Sequence, residues 1–184
     1  MARFTELYRQ DDGDPWDTRS SWYELRKRAV LLASLPRGRY RHAAEPGCGT
    51  GELTRELAAR CARLDASDFA EDAARMTREC TAGLPGVTVT CRALPLGIPD
   101  GADLVVLSEV LYYLADDVLL ATRDRLADAL APGADVVVAH SRGWPAEAPR
   151  DAEEVHRQLG SDARLRLLVE HLDEEFVVQV YRRQ

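Results

Sequence analysis

The sequence predicts an open α/β sheet with helices packed on both of its faces. From Tyr40 onward, short apolar segments alternate with segments of helical periodicity, the pattern of consecutive strand-helix units. Leu104 to Leu107 and Val136 to Ala139 are unbroken apolar runs, as in strands of a parallel sheet covered on both sides. A glycine-rich turn follows the first strand, at the carboxyl edge where such folds bind ligands.

The elements follow in order. Ala2 to Leu35 forms an appendage ahead of the sheet, beginning with the turn-rich stretch Asp11 to Asp17, which carries Trp16. Ser21 with Glu24 predicts a capping box, and Trp22, Leu25, Ala29 and Leu32 then fall on one helix face. Pro36 ends that helix. The first strand ends at Glu45, and a helix starts near Glu52 with Leu53 and Leu57 together. The second strand covers Ala62 to Asp68, and its helix carries Phe69, Ala73, Met76 and Cys80. Gly83 to Gly86 turns the chain into a third strand, where Val87, Val89 and Cys91 alternate with polar residues.

Beyond the fourth strand, Leu119, Leu126 and Leu130 mark a helix, and Pro132-Gly133 a turn into the fifth strand. A helix over Asp151 to Leu159 with Gly160 as C-cap comes next, then closing strands at Arg164 to Glu170 and Glu175 to Tyr181. The acidic pairs Asp116-Asp117 and Glu153-Glu154 stand at helix starts. Residues 1–36 read as a helical lid and 37–184 as the α/β core of a single domain.

Composition narrows the function classes. The 184 residues suit one domain, and 46% hydrophobic with 30% charged residues fits a globular chain. The formal net charge is −7, with both signs interspersed, so no basic face is offered to nucleic acid and a small-molecule partner is favoured. No apolar run approaches the roughly 20 residues of a membrane helix, and the start has no export-signal core, so a cytoplasmic protein, monomer or homodimer, is expected. Cys48, Cys61, Cys80 and Cys91 form no C-x-x-C pair and are expected as reduced thiols, with no metal site. Lys27 is the only lysine; every other basic residue is arginine, which reads as genomic composition.

The segment Ala43 to Thr54, A-A-E-P-G-C-G-T-G-E-L-T, bears most on function. Gly47, Gly49 and Gly51 permit positive φ and close approach of a ligand to the backbone. A pyrophosphate there would meet Glu45 and Glu52, whereas dinucleotide loops carry G-x-G-x-x-G. S-adenosylmethionine (SAM) presents a positive sulfonium and ammonium, which an acid ahead of the loop suits. A carboxylate at the end of the next strand accepts its ribose hydroxyls. Asp68, seventeen residues past Gly51, is the ribose candidate and Asp65 the second choice. The plainer alternative is a glycine turn beside two surface carboxylates.

These residues resemble the class I SAM-dependent methyltransferases, and within them the NodS-like (nodulation protein S) family. The resemblance runs over nearly the whole chain. It rests on D-P-W-D at Asp14 to Asp17, S-W-Y-E at Ser21 to Glu24, E-P-G-C-G-T-G at Glu45 to Gly51 and L-S-E-V-L-Y-Y-L at Leu107 to Leu114. It implies a Rossmann-like fold: an open, seven-stranded, mostly parallel sheet with the last strand antiparallel and an N-terminal helical lid. It also implies a SAM site lined by Glu45, Gly47, Cys48, Gly49 and Asp68, with S-adenosylhomocysteine (SAH) as product. Phe69 would lie near the adenine or ribose, Ser108 and Glu109 beside the methionine part, and Trp22 and Tyr23 on the covering helix. Where relatives often carry an acid for the adenine amine, this chain has Cys91-Arg92-Ala93-Leu94. It is also shorter than many relatives after the fifth strand, where acceptor-binding elements often sit.

Methyl transfer is an in-line displacement, so positioning and exclusion of water supply much of the rate. Glu109, Tyr112, Tyr113 and His140 are the candidate acceptor-side groups, with His140 able to take a proton near neutral pH. Alternatively, the tyrosines pack a helix start and His140 is structural. Trp16, Trp22 and Trp144 are either packing or aromatic faces for the sulfonium, and His156 and His171 surface or packing residues. The resemblance implies N-methylation, with amino sugars as acceptor class. An oxygen acceptor, a SAM-using cyclase and a non-catalytic SAM-binding partner subunit are the alternatives.

Overall fold

A computed structural model describes residues 7–8, 14–143 and 145–184. Trp144 and the start of the N-terminal appendage lie outside the described residues. The elements in order are α1 (Trp22–Ala33), β1 (Tyr40–Pro46), α2 (Glu52–Ala58), β2 (Cys61–Asp68), α3 (Glu71–Cys80), β3 (Val87–Cys91) and β4 (Leu104–Ser108). A short 3-10 turn (Leu111–Tyr113) then leads to α4 (Asp116–Ala129), β5 (Asp135–Ser141), α5 (Ala152–Gly160), β6 (Leu165–Leu172) and β7 (Phe176–Arg183).

The strands form one seven-stranded sheet in the order β3-β2-β1-β4-β5-β7-β6. All pairings among β1 to β5 are parallel, whereas β7 runs antiparallel to both β5 and β6. This is the Rossmann-like class I arrangement that the sequence implies. Strand order reverses between β1 and β4, and an open α/β sheet accepts ligands in the crevice at that switch point.

The apolar runs are buried on both faces, as their composition requires. Val105, Leu107, Val136 and Val138 enter one core with Leu119 and Leu126 of α4 and Val155 and Leu159 of α5. Their neighbours Leu104, Val106, Val137 and Ala139 point the other way, into a second core with Leu31 of α1 and Leu57 of α2. The period of two along each strand divides one hydrophobic run between two layers.

Local expectations fail in three places. The Ser21–Glu24 capping box does not form: Ser21 makes no side-chain cap, and Glu24 instead accepts from Lys27 Nζ at 2.7 Å. The buried face of α1 is Lys27, Arg28 and Leu31, while Trp22 is 75% exposed. Ion pairing decides this: Arg28 bonds Glu56 at 2.7 Å, so its charge is compensated inside. Gly160 belongs to α5 rather than capping it, and Asp151 is that helix's N-cap, accepting from Glu154 N at 2.8 Å.

Candidate active site

At the end of β1 the chain turns on three glycines in the left-handed region, Gly47 (φ +82°), Gly49 (φ +55°) and Gly51 (φ +88°). Gly47 and Cys48 both donate to Ser67 O, at 2.7 and 3.0 Å, which ties the loop to β2. The glycines divide their roles. A Cβ on Gly51 would lie 2.9 Å from Thr77 Cα, so this residue lets α3 pack against the loop. Gly47 and Gly49 line a cavity of about 700 Å³ at the carboxyl edge of the sheet.

Two acids flank that loop. Asp68 is 5% exposed and accepts from Gly49 N at 3.2 Å and Ala70 N at 2.9 Å. Burial lifts its pKa above the ordinary carboxylate range, against the pull of these N–H groups. Glu45 is 3% exposed, and its Oε2 has no hydrogen-bond partner among the described residues. Burial raises its pKa to about 8, with the neighbouring Thr54 hydroxyl pulling it down and the Asp68 charge pushing it up. A buried carboxylate oxygen without a donor is costly, and a cationic ligand would relieve it. Asp65 faces elsewhere, held by His42 Nε2 and Arg63, each at 2.8 Å. Cys48 lines the cavity as a buried thiol whose pKa burial raises well above the ordinary value, so it carries no thiolate.

The second end of the cavity is organised around Glu109, which itself has positive φ (+57°) just after β4. Its Oε1 accepts from Lys27 Nζ at 2.5 Å and from Ser141 N at 2.9 Å, and its Oε2 from the Tyr112 hydroxyl. Burial of Tyr112 beside the Glu109 carboxylate lifts the phenol's pKa far above normal, so Tyr112 stays protonated. Tyr23, Phe69, Ser108 and Tyr113 also line the cavity. Tyr8, Thr18, Lys27, Arg28 and Val110 line it too, without having been singled out as site residues from the sequence. Trp16 lines the cavity and meets the Tyr8 ring edge-on at 5.3 Å.

Two candidates fall outside this arrangement. Trp22 points to solvent and is absent from the cavity wall. His140 is fully buried behind the wall: Nε2 accepts from Leu111 N at 3.2 Å, so Nδ1 carries the proton and faces His156 Nε2 at 3.0 Å. His156 in turn faces Gln179 Oε1 through Nδ1 at 2.7 Å. With both ring nitrogens engaged, His140 braces the 3-10 turn against β5. Burial holds both imidazoles below the ordinary pKa of 6.5, His140 far below it. The unfolded chain therefore binds more protons than the fold, and their contribution to stability is lost as pH falls below about 6.5. Between pH 7 and 5 the thermal midpoint of wild type should fall relative to that of His156→Gln. An unchanged difference between the two would count against the buried pair.

The family model described as Nodulation protein S (NodS) matches residues 4–172. The chain belongs to the NodS family. It is 34% identical over 132 residues to Nodulation protein S of Bradyrhizobium diazoefficiens, covering 70% of this chain and 63% of that protein. With the Rhizobium tropici Nodulation protein S the identity is 33% over 133 residues, covering 70% and 56%. The match thus spans about three fifths of the length of these NodS relatives. The crystal structure of N-methyltransferase NodS from Bradyrhizobium japonicum WM9 in complex with SAH superposes with a TM-score of 0.85. That comparison has 26% identity and covers 98% of this chain and 97% of that one. With 98% of this chain covered, the superposition takes in the helices around the sheet as well as the sheet itself.

Proposed function

We propose that this chain is a SAM-dependent methyltransferase acting on a nitrogen of a small amine. Glu45 Oε2, buried with no hydrogen bond of ordinary geometry and only the Thr54 hydroxyl beside it, carries the reading, because it calls for a cationic hydrogen-bond donor at the loop. The rest of the loop fits as well: Gly47 and Gly49 form part of the cavity wall, and Asp68 keeps lone pairs for ribose hydroxyls. Phe69 and the stretch Arg92, Ala93 and Leu94 supply the wall on the adenosine side.

SAM, when bound, supplies an electrophilic methyl on a sulfonium. The remaining work falls to the chain. Glu45 would accept from the ammonium group, Ser108 border the methionine part, and α1 shield this end from water through Tyr23, Lys27 and Arg28. Among the described residues, six acidic side chains line the cavity (Glu24, Glu45, Glu52, Asp68, Glu109 and Glu147) against the cations Lys27, Arg28 and Arg92. That balance favours positively charged guests.

A nitrogen acceptor fits this lining and the description of the B. japonicum protein as an N-methyltransferase. The neutral fraction of an amine has its own lone pair, so Glu109 needs only to accept an N–H bond and aim it. A hydroxyl acceptor would require a base, and His140 is not available as one.

Calorimetric titration with SAM and SAH, beside Asp68→Ala, tests the cofactor assignment. Saturable binding weakened at least tenfold by Asp68→Ala, about 1.4 kcal/mol, is expected. Well-folded protein that binds neither ligand would overturn it. A panel of primary amines (an amino-sugar oligomer, an arylalkylamine and a polyamine), read by product mass, then tests the acceptor class. A mass gain of one methyl on an amine is expected; methylation confined to hydroxyl analogues would contradict it.

A further inference from the structure

Lys27 is the one lysine in a chain whose other basic residues are all arginine, and it is 3% exposed. Composition alone would leave it at the surface. Instead its Nζ lies between Glu24 Oε1 at 2.7 Å and Glu109 Oε1 at 2.5 Å, and 4.6 Å from the centre of the Tyr23 ring. Burial by itself would drive the ammonium toward neutrality, but the two carboxylates outweigh it and hold the charge. The cation comes from α1, whereas Glu109 follows β4 on the sheet.

Glu109 depends on outside help for its orientation. Its backbone occupies the left-handed region, unusual for a residue with a side chain. Its carboxylate is held from three separate elements: Ser141 N at the end of β5, the Tyr112 hydroxyl on the 3-10 turn, and Lys27 on α1. Ser141 N and Tyr112 belong to the body of the fold and are in place whenever the sheet is. Lys27 is the donor supplied by the N-terminal helix.

We propose that Lys27 is a positioning residue: it fixes Glu109 for the acceptor amine, so that docking of α1 completes the acceptor side as well as covering the cofactor side. This rests on the methyltransferase reading above. Lys27 need not touch the methyl group, and its contribution passes through the Glu109 carboxylate.

The sole lysine makes the test direct. Labelling with ¹⁵N-lysine gives a single side-chain ammonium signal, to be read in wild type and Glu109→Gln, first with SAH and then with the amino-sugar oligomer added. The signal is expected to move in Glu109→Gln and to move in wild type when the amine is added. Lys27→Met is expected to lower kcat at least tenfold with SAH affinity held within threefold, and Lys27→Arg to recover most of the loss. Adding Lys27→Met to Glu109→Gln should reduce kcat by less than a further twofold, because coupled residues are non-additive. The proposal is overturned by a signal indifferent to Glu109→Gln, by SAH affinity falling in step with kcat, or by independent, multiplying effects. If Lys27→Met does not fold, Lys27→Arg and the ammonium signal decide. If no amine accepts methyl, the functional reading fails, while the response of the signal to Glu109→Gln and to the amine still decides this proposal.

Discussion

Glu45→Gln is expected to strengthen the ligand-free protein while weakening SAM binding ten- to a hundredfold. The two effects share one origin, the carboxylate buried at the end of β1, whose Oε2 makes no hydrogen bond of ordinary geometry and has the Thr54 hydroxyl as its neighbouring donor. Its pKa is about 8 in the fold against an ordinary 4.5, so the folded state holds a proton that the unfolded chain has lost. Its contribution to stability is complete below pH 4.5 and is lost as pH rises through 8. The amide does not titrate, so Glu45→Gln should flatten that decline. The ionised carboxylate is nevertheless what a cationic ligand requires, and a hydrogen bond to a charged group contributes about 1.5–3 kcal/mol. Binding at pH 7 should therefore release a proton. Calorimetry in two buffers of different ionisation heat would show this release in wild type and its absence in Glu45→Gln. Equal affinity and equal proton release in both proteins would exclude Glu45 from the site.

Gly51→Ala should show the second large effect, on stability rather than affinity. The left-handed backbone (φ +88°) disfavours any side chain by about 1–2 kcal/mol. The new Cβ would also meet Thr77 Cα at 2.9 Å, a backbone atom of α3 that cannot swing aside. Overpacking of this kind typically adds about 1–3 kcal/mol. The total of about 2–5 kcal/mol corresponds to a drop in melting temperature of roughly 4–20 °C for a domain of this size. Gly133→Ala is the control: its φ is +85°, but nothing lies within 4 Å of the added Cβ. Equal losses in the two variants would show that the contact with Thr77 contributes nothing.

The proposed cofactor half of the site is legible in the sequence because it is local. Glu45, Gly47, Gly49 and Asp68 belong to one strand-loop-helix-strand unit, whose spacing fixes where each residue emerges. The sheet is legible for a related reason, since unbroken runs such as Leu104 to Leu107 have only one way to hide both faces. The acceptor half depends on contacts between residues far apart in the chain. Nothing near Lys27 announces Glu109, eighty-two positions away. Polar residues on a helix are assigned outward by default, so the paired Lys27 and Arg28 are buried where Trp22 and Leu25 would be expected. The one available signal was compositional, a lone lysine among arginines. His140 misleads for another reason. The period of a strand buried on both faces does not say which face holds the ligand, and only the partners Leu111 N and His156 reveal its place.

The position of β7 bears on how the molecule is made. It follows β6 in the chain but lies between β5 and β6 in the sheet, pairing with β5 from Asp135–Arg182 to Ser141–Phe176. During synthesis the outer edge of β5 therefore stays open, its peptide groups unpaired, until residues 176–183 have left the ribosome. An apolar strand in that condition is a template for pairing with other chains. Ser141, whose N–H holds Glu109, sits at the end of the same late-closing ladder. The ladder that holds Ser141 is thus closed last: the glycine loop proposed for the cofactor is synthesised well before the final strand slides into the gap beside β5.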